Sequence, residues 1–141
     1  MVALTYYAHR EKLKDVGRAG ELEHMNREAV RIANEIAREG GALVAGNICN
    51  TWSYNPDDPV VSGVVVRSQY EEQLEWAVEE GIDFVIAETY DHVGEALIGV
   101  EVCRELGLPV MVTFASVQNE TTYDGYDYVA PCSARIRQAS T

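Results

Sequence analysis

The chain has 141 residues, 47% of them hydrophobic and 24% charged, a balance typical of one soluble globular domain rather than of a disordered chain. Its formal net charge of −12 argues against nucleic-acid binding, because phosphate contacts need clustered Lys and Arg side chains. No run approaches the ~20 apolar residues of a membrane helix and no signal peptide is visible, so we expect a cytoplasmic protein that binds neither nucleic acid nor membranes.

The first predicted elements are a strand, a helix and a second strand. Residues 2–7 are mostly apolar and predict a strand. Residues 26–39 repeat apolar side chains at helical spacing, with Asn26 as the expected N-cap and Gly40 and Gly41 as the end of the helix. A short apolar strand at residues 42–45 follows at once. The inward face of the helix is predicted to contain Ala29, Ile32, Ala33, Ile36 and Ala37.

The next two units repeat the order of helix, glycine and strand. A second helix is predicted to begin at Ser68, because Ser68 and Glu71 form an S-x-x-E capping pattern, and its strand covers residues 82–87. A third helix over residues 93–106 precedes a strand over residues 108–114. The residues predicted to face inward are Tyr70, Leu74, Ala77 and Val78 in the second helix and Val93, Ala96, Leu97, Val100 and Cys103 in the third.

Continuously apolar strands that alternate with helices predict an α/β fold with parallel strands. The pattern leaves open an open doubly wound sheet and part of a (β/α) barrel, and no phosphate-binding glycine motif follows any strand. In both folds ligands bind beyond the carboxyl ends of the strands. The residues expected there are Thr5, Tyr6, Tyr7, His9, Gly46, Asn47, Cys49, Asn50, Trp52, Glu88, Thr89, Tyr90, His92, Thr113, Ser116 and Gln118.

Glu88 is the most informative of these residues. A carboxylate at the end of a buried strand is costly to desolvate unless it is paired, so it predicts a cationic ligand group, a metal or a protein Arg, or else a helix cap. Tyr7 offers a ring face or a hydroxyl to a ligand, or it is half-buried packing. Gly46 lets the backbone approach a ligand, or it serves a turn.

The three cysteines are far apart and have no zinc-binding spacing. Cys49 is the thiol placed to react or to bind metal, although a lone Cys is more often a small buried apolar residue. Cys103 is predicted to lie in the core by its helical register, and Cys132 lies near the C-terminal end.

The histidines and the loop aromatics give weaker signals. His9, His24 and His92 have no fixed spacing to other ligand residues and are predicted to be surface or capping residues. Trp52 and Tyr54 in a long loop either line a pocket for a methylammonium ligand or fix the loop to the body of the domain.

Four runs of the chain follow the order of a known family. They are ALTYYAHREKL (3–13), EAVRIANEIAREGGALVAGNICNTWSY (28–54), DFVIAETYDHVGEAL (83–97) and GLPVMVTF (107–114). They resemble the homocysteine S-methyltransferase family, closest to its betaine-homocysteine branch. The resemblance covers nearly the whole chain, including strand ends and loop lengths.

The resemblance implies a (β/α)8 barrel enzyme that moves a methyl group from betaine, S-methylmethionine or a folate to the sulfur of homocysteine, giving methionine. The chain would span the second strand to the start of the fifth helix, so residues 1–141 form a partial domain. Glu88 stands where the family has an acid that holds the homocysteine amino group, and Tyr7 where the betaine branch has a tyrosine that contacts the donor. Gly46 and Asn47 complete the predicted substrate-binding set.

The chain departs from the family in its metal ligands. The family holds zinc through three cysteines, in stretches of the G-V-N-C and G-G-C-C-G types, and this sequence contains neither. Zinc is therefore expected for a full-length member, whereas its cysteine ligands are absent here. We expect a fragment of a longer product, or a short product that depends on a partner or has decayed, inactive alone and prone to homo-oligomerise or aggregate.

Two rival functions remain open from the sequence. One is a metal-free α/β enzyme in which Glu88 acts as general base, with activity that survives chelators. The other is a half-barrel assembly module without catalysis, which pairs with another chain.

Overall fold

The computed structural model describes residues 1–115 and 120–127 of the chain. The predicted positions Ser116, Gln118 and Cys132, and the helix start expected near the C-terminal end, lie outside the described residues. A short 3₁₀ turn at Ala19–Glu21 precedes the second helix. The elements in chain order are α1 (Arg10–Asp15), α2 (Leu22–Gly40), β1 (Ala45–Cys49), α3 (Pro59–Glu79), β2 (Phe84–Tyr90), α4 (Val93–Glu105) and β3 (Val110–Phe114).

The three strands form one parallel sheet in the order β1-β2-β3. This arrangement confirms the predicted α/β class with parallel strands. The register places Cys49 opposite Glu88, and the β2-β3 ladder is irregular between Ala87 and Tyr90. Each strand is joined to the next by a helix, the usual connection between neighbouring parallel strands.

One face of the sheet carries the core of the described chain. Ile48, Val85 and Ala87 on this face are at most 1% exposed and pack with side chains of α3 and α4, such as Tyr70 and Val102. The opposite face is less buried: Phe84, Ile86 and Glu88 of β2 are only partly buried there, whereas Ala45, Asn47 and Cys49 of β1 are buried beside the N-terminal segment. Met111 beside Ile86 on that face is 49% exposed.

The N-terminal segment follows β1 without forming the predicted strand over residues 2–7. Val2 forms an isolated parallel bridge with Ala45. Thr5 then donates its side-chain hydroxyl to Asn47 O at 2.7 Å, and Tyr7 N donates to the Cys49 sulfur at 3.4 Å. Side-chain atoms thus make two of the contacts that backbone groups make in a regular ladder, because the segment turns sharply at Tyr7, which has a φ of 60°.

Strand β1 begins three residues later than predicted and extends to Cys49. Gly46, Asn47 and Cys49 therefore lie within the strand rather than after it. Gly46 faces the helices, since an added Cβ would lie 3.5 Å from Ala77 Cβ in α3 and 2.8 Å from Ile82 Cδ1 in the connection to β2. Asn47 at the next position faces the other side. The glycine is explained by this close packing.

The observed N-termini of α2 and α3 differ from the two predicted helix starts. Helix α2 begins at Leu22, and Asn26 is a buried residue inside it rather than its N-cap. Helix α3 begins at Pro59 with Asp58 as its cap, so Ser68 lies in the middle of the helix. Pro59 fits the first turn because its missing N–H has no helical partner there. The predicted end of α2 is confirmed, as Gly41 caps it with a φ of 63°.

The predicted inward faces are partly correct. Buried positions that match the prediction are Ala33, Ala37, Tyr70, Leu74, Ala77, Val93, Ala96 and Cys103. Ile32, Ile36, Val78 and Leu97 are instead between 41% and 53% exposed. In α4 the buried stripe runs through Glu95, Gly99 and Val102, because Gly99 lets the Tyr90 hydroxyl approach the helix closely.

Among the described residues, none of the helices combines the length and apolar character needed to cross a membrane.

Candidate functional site

Glu88 and Asn47 meet on the uncovered face of the sheet. The Asn47 side-chain amide donates to Glu88 Oε1 at 2.7 Å and to Ile86 O at 3.2 Å. Asn47 itself is fixed through its carbonyl, which accepts the Thr5 hydroxyl. A neutral amide orients the carboxylate without cancelling its charge, so Glu88 keeps a net negative charge available to a cationic group.

Tyr7 lies at the same carboxyl edge of the sheet. Its amide contacts Cys49, which lies opposite Glu88 in the ladder. Its ring centroid is 4.3 Å from that of Tyr6, and Lys12 Nζ lies 5.6 Å from it. Tyr7 is therefore half-buried among aromatic and cationic neighbours at the edge where ligands bind in parallel α/β folds.

Three residues at this edge have strained backbones. Tyr7, Trp52 and Thr89 have φ values of 60°, 61° and 63°, the left-handed region that favours glycine. Tyr7 follows the extended N-terminal segment, Trp52 follows β1, and Thr89 lies near the end of β2. Clustered strain of this kind concentrates at functional sites, since the surrounding structure must hold it in place.

Tyr6 was not singled out for a role by the sequence, but it lies beside this edge. Partial burial raises the pKa of Tyr6 to about 12, with the Thr89 side chain opposing the shift. The Tyr6 hydroxyl therefore stays protonated at neutral pH and is a hydrogen-bond donor.

The Cys49 thiol is buried and poorly suited to bind a metal or to react. It is 4% exposed, accepts from Tyr7 N and donates to Asn50 O. Burial raises its pKa to about 11, so very little thiolate forms at neutral pH. Cys103 lies in the core as predicted, and it is fully buried. Within residues 1–115 and 120–127, no group of three metal-binding side chains has a suitable arrangement.

Glu95 is a buried carboxylate that the sequence reasoning missed. It is 1% exposed, and its Oε1 accepts from Thr51 N at 2.7 Å and from the Thr51 hydroxyl at 2.6 Å. Tyr70 OH lies 3.2 Å from the same oxygen. Burial raises the pKa of Glu95, and the Thr51 and Tyr70 hydrogen bonds oppose this shift. Glu95 fixes the loop that follows β1.

The other predicted residues have mainly structural roles. Tyr90 points into the helix-covered core and is fully buried, contrary to its predicted place at the site. His92 precedes α4 without a capping hydrogen bond, and Asp124 caps that helix through Val93 N and Gly94 N at 3.0 and 2.8 Å. Tyr54 packs on α4, where a side chain at Gly94 would overlap its hydroxyl.

His9 takes the N-cap position of α1, without a side-chain capping hydrogen bond, but it is buried rather than at the surface. It is 2% exposed, and burial lowers its pKa, so it is neutral at pH 7. His24 is exposed, as predicted. The sequence around His9 and His24 gives no signal that the first is buried and the second is exposed.

A parallel α/β sheet with a carboxylate, an amide and aromatic rings at its carboxyl edge defines an enzyme-like α/β domain. The family model for homocysteine S-methyltransferase matches residues 1–139. The chain therefore belongs to the homocysteine S-methyltransferase family, a family of transferases.

Curated relatives agree with this assignment. The chain is 37% identical to betaine–homocysteine S-methyltransferase 1 of Xenopus laevis over 99% of its length and 34% of that protein. It is 42% identical to S-methylmethionine–homocysteine S-methyltransferase of Mus musculus over 67% of its length and 25% of that protein. The Bos taurus betaine–homocysteine enzyme is 38% identical over 80% of the chain and 28% of its own length. The chain thus spans about a third or less of these relatives.

Proposed function

We propose that this chain supplies the amino-acid side of an active site that transfers a methyl group to the sulfur of homocysteine. Glu88 carries the proposal, because its carboxylate lies at the carboxyl edge of the sheet with one oxygen oriented by the Asn47 amide. Such a carboxylate suits the ammonium group of an amino acid, with a charge-assisted hydrogen bond. Asn47 acts on the substrate through Glu88.

The described sheet is proposed to be a sector of a (β/α)8 barrel. Strands follow one another in chain order, and the core cluster lies on one face only, with α3 and α4. An open doubly wound sheet carries helices on both faces, whereas a barrel carries them on the outside. In this proposal the face with Phe84, Ile86 and Glu88 is the barrel interior.

A cationic methyl donor is proposed to lie near Tyr7. The names of two relatives specify betaine and S-methylmethionine, both of which carry a cationic methyl-bearing centre. Aromatic faces attract such centres. Gly46 faces the helices, so its part would be limited to the close packing of β1. The proposed donor is betaine, S-methylmethionine or a folate.

Zinc does not fit the described cysteines. Cys49 is hydrogen-bonded and its pKa is raised by burial, and Cys103 is enclosed in the helix-side core. The thiolate donors of the family would have to come from sequence that this chain does not contain. We therefore propose that the 141-residue chain alone does not transfer methyl groups, and methyl transfer by the purified chain with stoichiometric zinc would contradict this.

The role of Glu88 can be tested in a protein that contains this chain together with the zinc cysteines of the family. Replacing Glu88 by Gln should raise the KM for homocysteine roughly tenfold or more, because a charge-assisted hydrogen bond is lost. The KM for the methyl donor and the zinc content should stay unchanged. Glu35→Gln on the exposed side of α2 is the matched control. An unchanged KM for homocysteine in Glu88→Gln would refute the assignment.

A further inference from the structure

Strand β2 contains one extra residue next to Glu88. The β2-β3 ladder is regular up to the pair Ala87 and Val112 and resumes at the pair Tyr90 and Phe114, so three steps along β2 lie opposite two along β3. This is a β-bulge, which leaves one residue unpaired and changes the direction of the side chains around it. Bulges are uncommon between parallel strands and are over-represented beside active sites. This one contains Glu88 and the residue that follows it.

The bulge decides which side chains of β2 face the helices. Side chains alternate between the two faces of a regular strand. Alternation from the buried Ala87 would bring Thr89 into the helix-covered core and Tyr90 to the opposite face. Instead, Glu88 and Thr89 are both partly buried, and Tyr90 is buried in the core. The extra residue therefore leaves both residues of the bulge on the side away from α3 and α4.

A side chain of β3 holds the backbone of the bulge. Thr89 N donates to Thr113 Oγ1 at 3.2 Å, at the point where the regular pairing of the strands is interrupted. Thr89 has a φ of 63°, an outlier for a β-branched residue that persists only when the surrounding structure supports it. Thr113 is exposed and lies two residues after Met111, on the same, less buried face of the sheet.

The Thr113 hydrogen bond acts on the backbone of Glu88. The N–H of Thr89 and the C=O of Glu88 belong to one planar peptide unit. Fixing this plane restricts the rotation that would move the Glu88 side chain away from Asn47, whose amide donates to the carboxylate at 2.7 Å. Glu88 is thus held at its backbone through Thr89 and at its carboxylate by Asn47.

We propose that Thr113 is a positioning residue for Glu88 and that the bulge aims the carboxylate at the ammonium group of the amino-acid substrate. This inference rests on the proposed function of Glu88. Thr113 acts through the Thr89 peptide and not by touching the substrate. Two replacements separate its hydroxyl from its shape, because Thr113→Val keeps the branched shape and Thr113→Ser keeps the hydroxyl.

Steady-state kinetics test this role in a protein that contains this chain together with the zinc cysteines of the family. Thr113→Val should raise the KM for homocysteine roughly threefold to tenfold, since a hydrogen bond that orients Glu88 is lost. The KM for the methyl donor and the zinc content should stay unchanged, and Thr113→Ser should restore the parent KM. Thr121→Val, which removes an exposed hydroxyl after β3, is the matched control.

Two further measurements distinguish positioning from a general structural role. In the Glu88→Gln background, Thr113→Val should raise the KM for homocysteine by a smaller factor than in the parent, because both changes act on the same carboxylate. Amide hydrogen exchange of the β2 segment, followed by mass spectrometry, should be faster in Thr113→Val than in the parent or in Thr113→Ser, because the Thr89 N–H loses its acceptor.

Equal factors in the two backgrounds, a joint rise of both KM values, or unchanged exchange in Thr113→Val would overturn the inference. A raised KM for homocysteine in Glu88→Gln beside an unchanged one in Thr113→Val would reject the role of Thr113 alone. An unchanged KM in Glu88→Gln would reject the proposed function of Glu88, and this inference with it.

Discussion

At the scale of single residues, two carboxylates near the same edge of the sheet have opposite surroundings. Glu88 is half-buried on the uncovered face and contacts the Asn47 amide. Glu95 is 1% exposed and accepts hydrogen bonds from Thr51 and Tyr70. The first arrangement leaves a charge for a ligand, and the second uses a carboxyl group to hold a loop.

The buried carboxyl group of Glu95 should make the free energy of unfolding of the chain depend on pH. Burial raises its pKa in the folded chain above that of an unfolded glutamate, so the folded state binds the proton more tightly. This contribution to stability is fully present below the unfolded pKa and is lost as the pH rises through the folded pKa. Glu95→Gln keeps an acceptor oxygen for Thr51 but does not titrate. The free energy of unfolding of the variant, measured in urea at several pH values, should fall less than that of the parent over this window.

The control for this prediction is Glu35→Gln, which removes an exposed carboxylate of α2. Its pH profile should follow that of the parent chain. If Glu95→Gln and the parent show the same slope above the usual titration range of glutamate, the buried carboxyl group does not make the assigned contribution.

Residue-scale prediction from the sequence was limited by contacts between distant positions. Glu88 was identified because an acid ends an apolar run, and its substrate role stays a prediction. Its contact with Asn47 joins positions 41 apart, and that of Glu95 with Thr51 joins positions 44 apart. None of these long-range contacts produces a recognisable pattern in the local sequence.

At the scale of elements, glycine signals gave reliable helix ends while polar signals misplaced helix starts. Gly41 ends α2 because its left-handed φ of 63° suits a residue without Cβ. Ser68 matched a capping pattern, yet it lies inside α3, where its hydroxyl bonds Val65 O. Helix α3 begins nine residues before Ser68, because Asp58 caps its first turn and Pro59 suits its first position. The valine-rich segment after Pro59 hid this start in the sequence.

The close packing of β1 against Ile82, in the connection between α3 and β2, predicts a specific cost for a side chain at position 46. Gly46→Ala would place Cβ 2.8 Å from Ile82 Cδ1, so the free energy of unfolding should fall by about 1–3 kcal/mol. Ile82→Val removes that methyl group and costs about 1 kcal/mol alone. The double variant should lose less free energy of unfolding than the sum of the losses of the two single variants, as measured by urea unfolding. Strict additivity would show that the two positions do not compete for space.

At the scale of the whole molecule, the described sheet is covered on one face only. Met111 is 49% exposed on the uncovered face, and Leu4 in the N-terminal segment is 89% exposed. Extensive exposed apolar surface favours association. The matched parts make up only 34% and 25% of the lengths of two of its relatives.

The exposed face predicts self-association of the isolated chain. Light scattering should show species larger than a monomer, and Leu4→Lys together with Met111→Lys should shift the distribution towards monomer. Val60→Lys with Val64→Lys, on the exposed side of α3, is the matched control. A monomeric parent chain with cooperative unfolding, or an equal effect of the α3 variants, would contradict association through the sheet face.

The sequence by itself determined the alternation of helices and strands between residues 22 and 114, the parallel α/β class and the family, because apolar periodicity and the four family-like runs are local features of the chain. It did not predict α1, and it predicted a strand over residues 2–7 that does not form. The tertiary structure alone decided which face of the sheet is covered, that Gly46 and Asn47 lie within β1, that Asn47 orients Glu88, and that Glu95 and His9 are buried. These features depend on strand register and on helix packing, which bring together residues about 40 positions or more apart. A pattern read along the chain cannot fix such pairings, since a shift of one residue in register turns every side chain of a strand to the opposite face.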